Sequence, residues 1–185
     1  MKKYASILMI GSDTKKAGKT ILACQIIRQY CSSNDITAVK IACFDLKDNH
    51  LDRSEIVVEE EKYKISEQLH TKGNSDTSRY LKAGAKRAFF LCAQKDYLKD
   101  AFEAFLKKLS KNTILICEST SLRLFIKPGI FIFIENRQTD KDKIKEYADP
   151  IKKLADRIIN YEGGHFDVSG IELIDNKWQL KKQIT

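Results

Sequence analysis

The sequence predicts an α/β fold of three layers, with a mostly parallel sheet of about five to seven strands between helices. Two observations carry this. Short runs such as Ala88–Cys92, Thr113–Cys117 and Ile130–Ile134 are apolar on both faces, as strands covered on both sides must be. Between such runs lie longer segments with apolar residues at helical spacing, and only 8 glycines and 2 prolines interrupt the chain.

In chain order, Tyr4–Ile10 reads as the first buried strand. Thr20–Tyr30 follows as a helix, with Ile21, Leu22, Ile26, Ile27 and Tyr30 on its apolar side. Ile36–Phe44 is the second strand. Residues 45–74 are polar and irregular, with β-like pieces at Glu55–Val58 and Tyr63–Ile65, and read as an insertion forming a hairpin or flap. Ser75-Asp76 suits the N-cap of a helix through Ala83, which Gly84 ends. After the strand at 88–92, Lys95–Leu109 presents Tyr97, Leu98, Ala101, Phe102, Phe105 and Leu109 on one face. The strands at 113–117 and 130–134 come next, then a helix over Lys141–Arg157 interrupted at Pro150, a strand at Ile158–Tyr161, and a hairpin over about 171–180.

The 185 residues suit one domain, spanning 1–185. A hydrophobic content of 43% excludes a disordered chain. The net charge of +8 favours anionic partners without indicating a fold. No apolar run approaches the roughly 18 residues of a membrane helix, so no membrane role is expected. The five cysteines include no C-x-x-C pair and mostly sit in apolar contexts, which points to reduced thiols in a cytoplasmic protein.

The most informative segment joins the first strand to the first helix: Gly11-Ser12-Asp13-Thr14-Lys15-Lys16-Ala17-Gly18-Lys19-Thr20. Gly18 permits a tight turn, and the amides that follow converge at a helix N-terminus, where an anion is stabilised. Lys19 has the reach for β- and γ-phosphate oxygens, and the Thr20 hydroxyl suits Mg²⁺. Asp13, Thr14, Lys15, Lys16, Ala17, Gly18, Lys19, Thr20 and Ile21 are therefore the candidate nucleotide-binding residues. The spacing departs from G-x-x-x-x-G-K-[ST]: Asp13 stands where the first glycine falls, and Gly11 lies two residues early.

This stretch resembles the P-loop NTPases, and in detail the branch of dethiobiotin synthetases and molybdopterin-guanine dinucleotide biosynthesis adaptors (MobB-like). The opening Gly11-Ser12-Asp13-Thr14 is similar to the Gly-Thr-Asp-Thr of dethiobiotin synthetase, with a loop one residue longer. Asp76-Thr77-Ser78-Arg79-Tyr80-Leu81-Lys82-Ala83-Gly84-Ala85 resembles the MobB-like Asp-x-x-Arg-x-x-x-Ala-Gly-Ala segment. The likeness covers most of residues 4–160. It implies a P-loop three-layer fold, ATP or GTP with Mg²⁺ as ligands, and a role in cofactor biosynthesis.

Asp45 ends the second strand and Glu118 the fourth. A carboxylate at a strand tip can hold Mg²⁺ or orient an attacking group, and the resemblance favours Glu118. Lys40, inside the apolar run Ala38-Val39-Lys40-Ile41-Ala42, must be paired, aimed at an anion, or placed on an edge strand where it reaches water. Asp76 and Arg79 are candidates for a second substrate; they read equally as a helix-start carboxylate with an i, i+3 ion pair. Arg123 is a candidate phosphate or substrate contact, or a surface residue. Asn136 lies where related NTPases read the base. His50, His70 and His165 are isolated. The expected function is a nucleotide-triphosphate-binding accessory NTPase in which Lys19, Glu118 and Lys40 carry the chemistry. The alternative is a small-molecule kinase or ligase of dethiobiotin synthetase type. A basic nucleic-acid-binding module is disfavoured, since the lysines are scattered and no recognition motif is legible. ATP against GTP, the second substrate or partner protein, and a homodimer are left open.

Overall fold

The computed structural model describes residues 1–43, 54–135, 148–161 and 163–181. Eight strands form one sheet. In chain order the elements are β1 (Lys2–Ser12), α1 (Lys19–Tyr30), β2 (Ile36–Cys43), β3 (Ser54–Glu59), β4 (Tyr63–Gln68), α2 (Asp76–Lys82), β5 (Arg87–Ala93) and α3 (Leu98–Leu106). Then come β6 (Ile114–Glu118), β7 (Ile126–Glu135), α4 (Ala148–Lys152), β8 (Arg157–Asn160), β9 (Ile171–Ile174) and β10 (Lys177–Leu180). The sheet order is β3-β4-β5-β2-β6-β1-β7-β8. β5, β2, β6, β1, β7 and β8 run parallel, and β3 and β4 add an antiparallel edge. The chain is thus α/β with a large, mostly parallel central sheet, wider than the five to seven strands expected.

The extra width has a local cause. The β-like pieces near 55–58 and 63–65 form a hairpin whose second strand pairs with β5, from Tyr63 opposite Ala93 to Gln68 opposite Ala88. Ile65, Ser66 and Gln68 are buried, so this part of the polar segment belongs to the sheet. β3 forms the outer edge and carries Glu55 and Glu59, charges that discourage pairing with another chain. Residues 45–53 of the expected insertion lie outside the described residues, as do 141–147 of the helix expected at 141–157. From that helix the structure has α4 alone, with Pro150 inside its first turn, where the missing N–H costs nothing. Arg157 already belongs to β8.

Period-two alternation divides the core. Leu8, Ile10, Ala38, Ile114, Ile116, Ile130, Ile132 and Ile134 face α1 and α2. Ile7, Met9, Val39, Ile41, Leu115, Cys117, Phe131 and Phe133 face α3 and α4. The hairpin β9–β10 packs Ile171 and Trp178 onto the first of these clusters. It turns through Asp175 (φ 51°) and Asn176 (φ 59°), the two left-handed residues of a type I′ hairpin. α2 starts as the sequence predicts: the Ser75 hydroxyl accepts from the Ser78 N–H, and Gly84 (φ 104°) ends the turn.

Candidate functional site

Parallel pairing brings the carboxyl ends of β1, β2 and β6 together. Glu118 lies in register with Ile10 on one side and with Lys40 on the other. Lys40 is two residues beyond Ala38, and Glu118 two beyond Ile116, so both side chains extend the α1/α2 face past its last apolar residues. β2 lies between β5 and β6, which removes the edge-strand alternative for Lys40.

Glu118 is 2% exposed and accepts three hydrogen bonds. The Thr20 hydroxyl donates to its Oε2 at 2.8 Å, the Tyr80 hydroxyl donates to the same oxygen at 2.5 Å, and the Lys40 ammonium pairs with Oε1. Lys40 Nζ also lies 2.9 Å from Asp76 Oδ2, and Asp76 Oδ1 is 3.7 Å from Arg79 one turn along α2. Five side chains from four elements therefore share one network, with Arg79 at its rim.

The phosphate-loop candidates surround it. β1 continues through Ser12, so Gly11 is a strand residue. A Cβ there would meet the Phe131 ring at 2.9 Å and the Thr120 backbone at 3.4 Å, which makes it a packing glycine. Ser12 N–H donates to Thr120 Oγ1 at 3.0 Å, and Thr120 Oγ1 donates back to the Ser12 carbonyl at 3.1 Å. These bonds tie the start of the loop to the segment after β6. Asp13, Thr14 and Ala17 are buried, Lys15 and Lys16 are exposed, and Ile21 packs against the core edge. Thr14 Oγ1 has no hydrogen-bond partner among the described residues.

Two loop residues, Lys16 (φ 62°) and Gly18 (φ 82°), are left-handed. Gly18 is the N-cap of α1, and as a glycine it supplies no side-chain acceptor for the first-turn amides. Lys19 folds back over the loop and donates to Ser12 Oγ at 2.8 Å, while that hydroxyl donates to the Thr14 carbonyl at 2.7 Å.

The charges respond to this crowding. Burial, assisted by the nearby Lys40 ammonium, holds Lys19 below the ordinary lysine range despite Glu118 and Asp76. Burial also pulls on Lys40, but Glu118 and Asp76 outweigh it and hold Lys40 above that range. Asp76 is desolvated too; Lys40 overcomes that, with help from Thr20 and Arg79, and keeps its carboxyl below the usual value. Burial, then the Glu118 charge, pushes the Tyr80 hydroxyl well above the ordinary tyrosine range.

Arg123 stands apart from this network. Its guanidinium donates to the carbonyls of Ile126 and Leu154 and lies over the Phe131 ring. Ile126 pairs with Lys2 at the start of β1, so Arg123 sits at the amino end of the strands, opposite the loop. Asp45 and Asn136 lie outside the described residues. A cleft of about 650 Å³, lined by Thr37, Arg87 and Ile114 among others, opens at the amino ends of β2, β5 and β6, and Lys19 does not border it.

Sequence reasoning missed three features. Tyr80 reads as a core aromatic; its spacing of four from Asp76, which puts both on one helix face, was the available signal. Ser12 lies in the loop motif without being singled out, and Thr120 carries no motif. Neither does the aromatic pair Tyr161 and Phe166, whose rings are 5.5 Å apart and would lie 2.8 Å from a Cβ at Gly18. Gln25 on α1 holds that pair in place: its amide donates to the Phe166 carbonyl at 2.6 Å and accepts from the Phe166 N–H at 3.2 Å.

Chemically, the carboxyl edge offers two ammonium groups, a helix start with a glycine N-cap, and a hydroxyl that donates to a buried carboxylate. Compared with family models, with curated proteins and with solved structures, the chain matches none.

Proposed function

We propose that the chain is a nucleotide-triphosphate-binding protein with a P-loop three-layer fold, taking ATP or GTP with Mg²⁺ on the loop from Asp13 to Ile21. The observation that carries this reading is the convergence at the α1 N-terminus. Lys19 reaches back to Ser12, and Thr20 donates to Glu118, at a helix start whose N-cap is a glycine. A polyphosphate would replace the Ser12 hydroxyl as the partner of Lys19, exchanging a neutral acceptor for a charged one.

The residues fit Mg²⁺ as a phosphate-associated ion. Among the described residues no group of three or more His, Cys, Asp or Glu could hold a metal by itself. Magnesium typically takes one or two protein oxygens with phosphate and water, and Thr20 Oγ1 beside Glu118 supplies such a set. When bound, the ion would neutralise phosphate charge. Lys19 would hold the phosphate oxygens, and Lys40 would keep the Glu118 carboxylate oriented.

The resemblance of the loop and of residues 76–85 to MobB-like chains favours an accessory NTPase in cofactor biosynthesis. A small-molecule kinase or ligase is the second reading. Its support is that Lys40, Asp76 and Arg79 are each partly solvent-exposed next to Glu118, where an acceptor could dock. A thermal-shift series with ATP, GTP, ADP and GDP tests the first reading. Nucleotide at 100 times its dissociation constant stabilises the fold by about 2.7 kcal/mol, so a clear upward shift with Mg²⁺ is expected. No shift with any nucleotide contradicts it.

A further inference from the structure

We propose that Tyr80 is a positioning residue for the cation-binding hydroxyl of Thr20, acting through Glu118. This rests on the Mg²⁺-nucleotide reading above. Tyr80 is 1% exposed within the apolar cluster beneath α1 and α2, too deep to touch a ligand. A phenolic hydroxyl in such surroundings is costly unless it is hydrogen-bonded, and its partner is Glu118 Oε2. Phenylalanine would fill the same space without that cost, so apolar packing does not account for the hydroxyl.

The geometry gives it a task. Glu118 Oε2 accepts from both Tyr80 and Thr20, while Oε1 accepts from Lys40. Donors from α2, α1 and β2 thus fix the carboxylate plane from three directions. With its proton held by Oε2, Thr20 Oγ1 keeps its lone pairs for a cation. Without the Tyr80 donor, Oε2 is held by Thr20 alone, and the carboxylate can turn further towards Lys40. α2 then contributes twice to the site, through Tyr80 on Glu118 and through Asp76 on Lys40.

The test is calorimetric titration of wild type and Tyr80→Phe with a non-hydrolysable ATP or GTP analogue, in Mg²⁺ and in EDTA. Loss of a residue that orients a metal ligand costs about 10- to 100-fold in metal affinity. The Mg²⁺-dependent affinity of Tyr80→Phe should therefore fall by that factor, with the EDTA affinity within about twofold of wild type. Unchanged affinity in Mg²⁺, or an equal loss in both buffers, overturns the assignment while leaving nucleotide binding intact. If wild type binds neither analogue, the nucleotide reading fails and the assignment falls with it. Should the Phe variant not fold, Tyr80→Met, an adaptable apolar side chain, takes its place in the same titrations.

Discussion

The two faces of the central sheet differ most at the carboxyl edge. Under α3 and α4 the face is apolar along the strands, with Phe89, Phe102, Phe105, Phe131 and Phe133 all buried. Under α1 and α2 apolar strand residues give way at the carboxyl edge to Lys40, Glu118, Thr20 and Tyr80, and Gln68 with Thr77 adds a buried polar pair beside β5. The strands are the same and the alternation is the same. One face therefore measures what packing alone requires, and the other measures what a charged network costs. Desolvating an ion pair consumes much of its attraction, so the charged network adds less to stability than its contacts suggest.

Single truncations should cost similar amounts on the two faces but respond differently to a second change. Glu118→Ala leaves Lys40 with Asp76 as its remaining carboxylate and strands the Tyr80 hydroxyl, with an expected loss of about 3–5 kcal/mol in urea unfolding. Phe102→Ala opens a cavity and loses about 3–5 kcal/mol as well. Adding Tyr80→Phe to Glu118→Ala should recover part of the loss, because it removes the stranded hydroxyl; adding it to Phe102→Ala should recover none. Equal behaviour of the two double variants would remove the distinction between the faces.

The loop gives the next largest effect. Gly18→Ala forces a side chain into a left-handed conformation and against Tyr161 and Phe166, at about 1–3 kcal/mol or more. A melting temperature equal to wild type would mean that the aromatic pair is not packed on the loop.

Stability should also depend on pH through the polar face. The Asp76 carboxyl is held low, so its contribution is complete above about pH 3.9 and is lost as pH falls through its lower folded value. Lys40 is held high, so its contribution is complete below about pH 10.4 and is lost as pH rises through its higher folded value. Lys19 has the opposite sign. Its depressed value makes stability rise with pH up to about 10.4. Urea midpoints of Asp76→Asn should lack the acid loss, and those of Lys19→Met should lack the alkaline gain.

The smallest effect is a gain. Lys16→Gly relieves a left-handed backbone that costs roughly 1–2 kcal/mol, less about 0.5–1 kcal/mol for the freer unfolded chain. A net stabilisation of up to about 1 kcal/mol should appear in the same unfolding assay.

The contrast between the faces also explains what could be read in advance. Apolar runs revealed the interior strands, and Ser75 and Gly84 revealed the limits of α2, because those signals are local. Lys40 stood out because a lysine in an apolar strand needs a reason, but its pairing with Glu118 depends on β2 lying beside β6. Strand order is a long-range property that residue spacing does not encode. Tyr80 was hidden because a buried tyrosine on an apolar helix face looks like any core aromatic. The place of Arg123 has the same long-range origin: the chain after Glu118 descends to the amino end of β7, and nothing in Ser119-Thr120-Ser121 announces that descent. The hairpin at 54–68 looked like an appendage because β3 is half exposed, whereas β4 beside it is largely buried.

The proposed nucleotide site depends most on Lys19 at the start of α1. Titration of wild type and Lys19→Ala with ATP and GTP in Mg²⁺ tests it most directly. The prediction is one site per chain in wild type and a loss of at least about tenfold in affinity on removing the ammonium, as expected for a hydrogen bond to a charged group. Wild type that binds neither nucleotide, or a Lys19→Ala variant that binds as tightly as wild type, would contradict it.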